Sequence, residues 1–294
     1  MTPTPSPVAA RRRLAAELRR ARAAAGLTLQ AAAAHLECSG AKVGRIENRL
    51  VGASIVDVRA LADLYGVTGA ALDALLGLAR QARGRGWWHA YGDMIGDAFA
   101  TYIGLEDEAA GVDTYEGYVI PGLLQTPAYA RAVMQARRDD PPETVERGAA
   151  LRATRQEILD RPEPPTLRAV IDEAALLRPA GDGEAAAGQY RHLLDLAARP
   201  SVTVQVLPLD AAPVDGRVSF TVLRFADPGE PAVTYAELLT EAYLVDRAED
   251  VGRYAAQFDA LRGAALDPEA SAEMIRGLLA ASEGGRVVTA TRRG

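Results

Sequence analysis

Cysteine, histidine and lysine are nearly absent from this chain. Cys38 is its only cysteine, which excludes an intrachain disulfide and a cysteine-based zinc site. The three histidines, His35, His89 and His192, have no metal-ligand spacing, so no metal and no other cofactor is expected. No apolar run approaches the ~20 residues of a membrane-spanning helix, so no membrane contact is expected. The first residues, rich in Pro and Thr, have no charged n-region, apolar h-region or small-residue cleavage site. They are expected to form a disordered arm over residues 1–7, on a cytoplasmic protein. There is no P-loop, no G-x-G-x-x-G after a strand and no G-x-S-x-G elbow. No catalytic residue is assigned and no enzyme is expected.

Charge of both signs is present, but it is divided unequally. Residues 1–85 carry 13 Arg and Lys against 6 Asp and Glu, a net of +7. The rest carries 20 against 33, a net of −13, and the two parts sum to the overall −6. A basic segment joined to an acidic one suits a nucleic-acid-binding module coupled to a separate task. Lys42 is the only lysine, and it falls in the most informative part of the basic segment.

That segment reads as five short helices over residues 8–82. The first spans about 8–25, with Leu14, Leu18, Ala21 and Ala25 on one face, Arg11, Arg12, Arg13, Arg19, Arg20 and Arg22 elsewhere, and Gly26 at its end. Thr28 caps a second helix running to Leu36. Glu37 and Cys38 form the break. Ser39 caps a third helix over about 40–48, with Val43 and Ile46 inward. Ser54 caps a fourth helix and Thr68 a fifth. Two helices joined by about three residues make a helix-turn-helix, whose second helix lies in the major groove with its N-terminal residues at the base edges.

The stretch GLTLQAAAAHLECSGAKVGRIENRL closely resembles the Cro/repressor-type helix-turn-helix of the Xre family. This resemblance implies double-stranded DNA as partner, through Thr28, Gln30, Ser39, Gly40, Ala41, Lys42, Arg45 and Arg49. Where that family usually carries larger polar residues after the capping serine, this chain has Gly40 and Ala41. Neither makes a bidentate base contact, although Ala41 can touch a thymine methyl. Specificity then rests on Lys42, with Arg45 and Arg49 on phosphates. A dimer is expected, reading half-sites ~34 Å apart.

A basic, Gly-rich linker at 83–86 separates this domain from a larger one at 87–281, with a flexible tail at 282–294. The only tryptophans, Trp87 and Trp88, open the second domain. They either pack a core or wall a ligand or partner site. Residues 93–136 read as helical with one interruption, at Pro121–Gly122, after which Thr126 caps a helix with Pro127 at its first position. Glu106, Asp107 and Glu108 read as a solvated helix face. A long amphipathic helix covers about 142–160. Strands are expected at 167–171, 202–207, 219–225 and 233–235, among helices at about 183–198, 251–261 and 268–281. Asp215–Gly216 reads as a turn. The fold class is therefore mainly α with a smaller α+β part: a five-helix helix-turn-helix domain, then a larger α+β domain of unreadable strand order.

The tryptophan pair, IPGLLQTPAYARAVM, VTVQVLP, SFTVLRF and VTYAELL resemble the uncharacterised domain that follows the helix-turn-helix in many actinobacterial antitoxin-like regulators. The resemblance implies a regulator often paired with a small protein encoded beside it. The candidate ligand or partner residues are Trp87, Trp88, Tyr118, Leu123, Leu124 and Glu237. Glu237 and Glu241 are spaced to share a helix face, and Glu237 is suited to receive a ligand amine or a partner arginine. The acidic domain is expected to sense a ligand or a protein. The alternative is an antitoxin-like protein whose main role is to bind a small partner.

Overall fold

Alternating apolar spacing and caps build the N-terminal region helix by helix. The computed structural model describes residues 7–47, 53–84, 86–136, 141–211, 218–227, 230–238 and 240–283. They fall into two units. The first takes the described residues up to Ala90 together with Ile103–Glu108, and the second takes Tyr91–Tyr102 and those from Ala109 onward.

Five helices make the body of the first unit: α1 (Pro7–Ala24), α2 (Leu29–His35), α3 (Gly40–Glu47), α4 (Ile55–Leu64) and α5 (Gly69–Gln81). Pro7 already belongs to α1, its ring suiting a helix's first turn, so the expected arm is one residue too long. One face of each helix feeds a common core of Leu14, Leu18, Val43, Ile46, Val58, Leu61, Leu75 and Leu76. Gly26 and Gly66 end α1 and α4 at φ +67° and +73°, the left-handed conformation in which glycine lacks the Cβ penalty. Ser54 and Asp57 cap α4 reciprocally. Thr68 sits at the N-cap of α5 in extended conformation without the side-chain hydrogen bond expected of it.

The tryptophans belong to this first unit, in a 3-10 turn at Trp87–Tyr91. The Trp88 ring is buried where a Cβ on Gly86 or Gly104 would stand, 2.7 Å from the latter position, with Val8 Cγ2 at 2.6 Å. The division between units therefore follows the tryptophans instead of preceding them, because Trp88 packs where two glycines make room.

The second unit contains α6 (Asp97–Glu106, its end in the first unit), α7 (Pro127–Gln135), α8 (Pro142–Gln156), α9 (Glu173–Leu177), α10 (Gly183–Ala197), α11 (Ala248–Ala264) and α12 (Pro268–Glu283). Glu106 is buried, so the acidic run at 106–108 is no solvated face. The last helix takes in residues 282–283 of the expected tail, whose remainder lies outside the described residues, as does Asp215–Gly216.

The strands are β1 (Gly111–Glu116), β2 (Thr166–Asp172), β3 (Val202–Leu207), β4 (Phe220–Arg224), β5 (Val233–Glu237) and β6 (Ala242–Val245). They form one sheet in the order β3-β2-β1-β4-β5-β6. The first three run parallel, joined by helical crossovers, and β4 to β6 follow as an antiparallel meander. Two strands depart from the sequence expectation. β1 lies where helix was expected, and β6 turns the expected Glu237–Glu241 helix into a hairpin closed by Leu238 N–H donating to Glu241 O at 2.7 Å. The chain is thus a helical region followed by an α+β domain with a six-stranded mixed sheet.

Strand pleating gives the sheet two faces. One carries Tyr115, Val170, Leu207, Phe220 and Ala236 against Val251, Phe258 and Leu261 of α11. On that face Asp113 accepts bidentate hydrogen bonds from Arg168 (2.6 and 2.6 Å) and Arg224 (3.0 and 2.9 Å). The pairing raises the Arg168 pKa. The opposite face has Val202, Val204 and Val206 of β3 beside Leu167, Ala169 and Ile171 of β2, all buried. On β1, β4 and β5 the same face turns polar, and there the sheet is hollowed into a cavity.

Candidate DNA interface and ligand cavity

In the first unit, Thr28 accepts a hydrogen bond from the Ala31 N–H at 3.1 Å and so starts α2. The chain reverses after Leu36 through Glu37, which adopts φ +50°. That is a left-handed conformation uncommon for a residue with a side chain. The Lys42 N–H then donates to Ser39 O at 2.9 Å as α3 begins.

Arg22 holds α3 against α1. Its guanidinium donates to both oxygens of the buried Glu47 at 2.8 Å each, and to Leu27 O at 2.8 Å. The Glu47 hydrogen bonds raise the Arg22 pKa against the cost of desolvation. The same neighbourhood affects Tyr65. Burial, with the charge of Glu47, pushes its phenol up to about 12.

Six of the eight expected DNA-reading residues are described. Thr28, Gln30, Ser39 and Ala41 are exposed, and Gly40 and Lys42 are half-buried. A Cβ at Gly40 would meet nothing among the described residues, so their packing does not demand a glycine there. Lys42 is already paired, its ammonium 3.1 Å from Asp57 Oδ1. Burial would raise the Asp57 pKa, but hydrogen bonds from Lys42 and Ser54 hold it below the usual value. Arg49 and the Arg45 side chain lie outside the described residues.

The cavity in the second unit has a volume of about 330 Å³. Its floor is the polar end of the sheet: Val112, Thr114 and Glu116 of β1, Ser219 and Thr221 at β4, Tyr235 and Glu237 of β5. Thr114 and Thr221 share a hydrogen bond of 3.0 Å. Over the floor come Phe99 and Tyr102 of α6, Arg152 and Arg155 of α8, and the loop of residues 118–125. Tyr102 stacks on Tyr235 at 4.3 Å, and Arg155 lies 5.2 and 5.4 Å from the Phe99 and Tyr102 rings.

The loop is fastened from several sides. Gln189 donates to Leu124 O at 2.7 Å and accepts from Thr126 N–H at 2.7 Å. Gln156 donates to Gly122 O and Gln125 O, and the Tyr129 hydroxyl accepts from Ile120 N–H.

Three of the six expected ligand or partner residues line this cavity: Leu123 from a buried position, Tyr118 on the rim, and Glu237 on the floor, where it accepts from the Tyr235 hydroxyl at 3.1 Å. Leu123 and Leu124 are buried, at 4 % and 0 % exposure. They are no docking patch, because the loop's hydrogen bonds turn them inward. Trp87 and Trp88 are not among the lining residues. Glu116, Gln125, Thr114, Arg155 and the Phe99–Tyr102–Tyr235 group are cavity residues that the sequence reading missed. The missed strand hid Thr114 and Glu116.

Among the described residues no cluster of three or more His, Cys, Asp or Glu is placed to hold a metal, and no helix is long and apolar enough to cross a membrane. Two families match the chain. A helix-turn-helix domain matches residues 13–75. A domain of unknown function, DUF5753, matches residues 99–277, more than half of the chain. No curated protein and no solved structure gives a match.

Proposed function

Because the chain belongs to the DUF5753 family and carries a helix-turn-helix domain ahead of that region, we propose that it is a sequence-specific transcriptional regulator of Xre type. In this reading it binds operator DNA as a homodimer in the cytoplasm, is not an enzyme, and answers to a ligand held by its second unit. The observation that carries the proposal is the helix-turn-helix match at residues 13–75, together with the exposed N-terminal end of α3. That end presents a positive dipole to a phosphate, as helix N-termini do. The basic surplus of residues 1–85 adds the electrostatic footprint expected of a DNA-binding module. The cavity of the second unit supports ligand sensing, since it combines an aromatic wall with a few polar groups.

The alternative, sequestration of a small protein encoded nearby, rested partly on Leu123 and Leu124. Their burial leaves it the acidic composition alone.

The test is fluorescence anisotropy of the full chain with DNA from upstream of its own gene and with scrambled DNA, across a salt series. Tight binding to the upstream fragment, at least ~10³-fold over scrambled DNA, is expected of a specific regulator. Equal and weak binding to both would overturn the proposal.

A further inference from the structure

The cavity floor is graded along the strands. Pleating puts every second residue on one face, and the register aligns Val112 with Leu223 and Val233, and Thr114 with Thr221 and Tyr235. One step further come Glu116, Ser219 and Glu237. The floor therefore passes from apolar, through hydroxyl, to carboxylate. Two acids on different strands stand at the same end of the floor, close enough for the charge of Glu237 to act on Glu116.

An independent observation points the same way. Gln125 is buried at 3 % exposure and lines the cavity. Its Nε2 donates to Ile120 O at 2.7 Å, which fixes the amide's orientation. Its Oε1 has no hydrogen-bond partner among the described residues. A flipped amide would set oxygen against oxygen, so the unused group is an acceptor. A buried acceptor without a donor is destabilising, and a ligand N–H or O–H would recover that cost.

The cavity's arginines are otherwise engaged. Arg155 lies over the Phe99 and Tyr102 rings, and Arg152 donates to Gly148 O at 3.3 Å. Burial, reinforced by the charge of Glu237 and opposed by a hydrogen bond from Ser219, pushes the Glu116 carboxyl up to about 7. A cation alongside would draw it back to the charged form.

We propose that this cavity binds a small organic cation, a protonated amine on a flat apolar or aromatic body. The ammonium sits at Glu116 and Glu237, the body lies against Tyr102 and Tyr235, and a second donor reaches Gln125 Oε1. This deepens the ligand-sensing part of the function proposed above and rests on it. The volume of about 330 Å³ is at the small end for ligand pockets and suits a single ring system with a short amine arm.

The test is titration calorimetry on the full chain without DNA at neutral pH. The probes are benzylamine, tyramine and tryptamine, set against neutral para-ethylphenol and anionic hydroxyphenylpropionate. At least one amine should bind saturably, about tenfold or more tighter than the neutral and anionic probes, as a charge-assisted hydrogen bond implies. Glu116→Gln and Glu237→Gln should each weaken it by about tenfold, while Glu116→Gln melts no lower than the parent. No saturable amine binding at millimolar concentration overturns the proposal. So does equal binding of the anionic probe, or amine affinity indifferent to both substitutions. Because DNA is absent, a chain that binds its operator yet ignores every amine would lose this inference and keep the regulator.

Discussion

Lys42 and Asp57 share a hydrogen bond of 3.1 Å, and the same carboxylate closes the capping box of α4 through the Ser54 backbone. The only lysine of the chain therefore stands in the first turn of α3, the helix proposed to face DNA, with its charge already committed. In that proposal a DNA acceptor must compete with Asp57 for it. Asp57→Asn is expected to tighten DNA binding at low salt while costing about 1 kcal/mol of stability through the weakened cap. Lys42→Ala should weaken binding to the upstream fragment and narrow its preference over scrambled DNA. Anisotropy across a salt series reads both. An Asp57→Asn affinity equal to or below the parent's would show that the pair does not restrain Lys42.

Glu37 holds its left-handed φ at the turn between α2 and α3, a conformation costing a residue with a Cβ ~1–2 kcal/mol. Glu37→Gly should relieve that strain and lose part of the gain to unfolded-state entropy, leaving a net stabilisation of up to ~1 kcal/mol. Chemical denaturation measures it. A destabilised variant would mean that the Glu37 side chain makes a contribution its exposed position does not reveal.

Leu124 is wholly buried. Leu124→Ala should cost ~2–5 kcal/mol, as cavity-forming core substitutions do. A variant that melts with the parent would return Leu124 to the surface role its sequence context suggested.

The Glu116 carboxyl titrates at about 7 in the folded chain, against an ordinary value of 4.5. Between those values the folded chain keeps a proton that the unfolded chain has lost. The stability contributed by the neutral acid is therefore complete below the lower value and lost as pH rises through the upper one. The ligand-free protein should lose several degrees of melting temperature between about pH 5 and pH 8, relative to Glu116→Gln, which carries no proton to lose. Parallel profiles for the two chains would contradict the burial assigned to Glu116.

Gly104 faces the edge of the Trp88 ring. A methyl group there must displace the indole or Val8, and overpacking of this kind typically costs ~1–3 kcal/mol. Gly104→Ala should lower the melting temperature and shift tryptophan fluorescence. An unchanged emission spectrum would show that the ring has room to move.

The helices of the first unit were legible in the sequence because each announces itself locally. Thr28, Ser54, Gly26 and Gly66 punctuate a 3.6-residue apolar rhythm, and the helix boundaries fall within a residue or two of those marks. β3 was equally plain, since Val202, Val204 and Val206 alternate with Thr203 and Gln205.

β1 was not legible. Its two faces carry Val112, Thr114 and Glu116 on one side and Asp113 and Tyr115 on the other, so neither side is uniformly apolar. Asp113 is buried by two arginines 55 and 111 residues away along the chain, and no local pattern encodes them. The cavity went unread for the same reason, as its floor is assembled from three strands. Glu237 was picked out by its charge and its spacing from Glu241, on a helix that proves to be a hairpin. Its neighbour in space, Glu116, was hidden in what looked like helix.

The position of β1 also dictates an order of events. Among the described strands of the sheet it is made first, and it ends up in the middle, paired with β2 and with β4. Its second partner is complete only with Arg224. During synthesis β1 must wait with an open edge while the crossover helices and β3 are made. The central ladder can close only when the meander arrives, a topology that favours slow folding. The helices of the N-terminal region, with mostly local contacts, face no such delay.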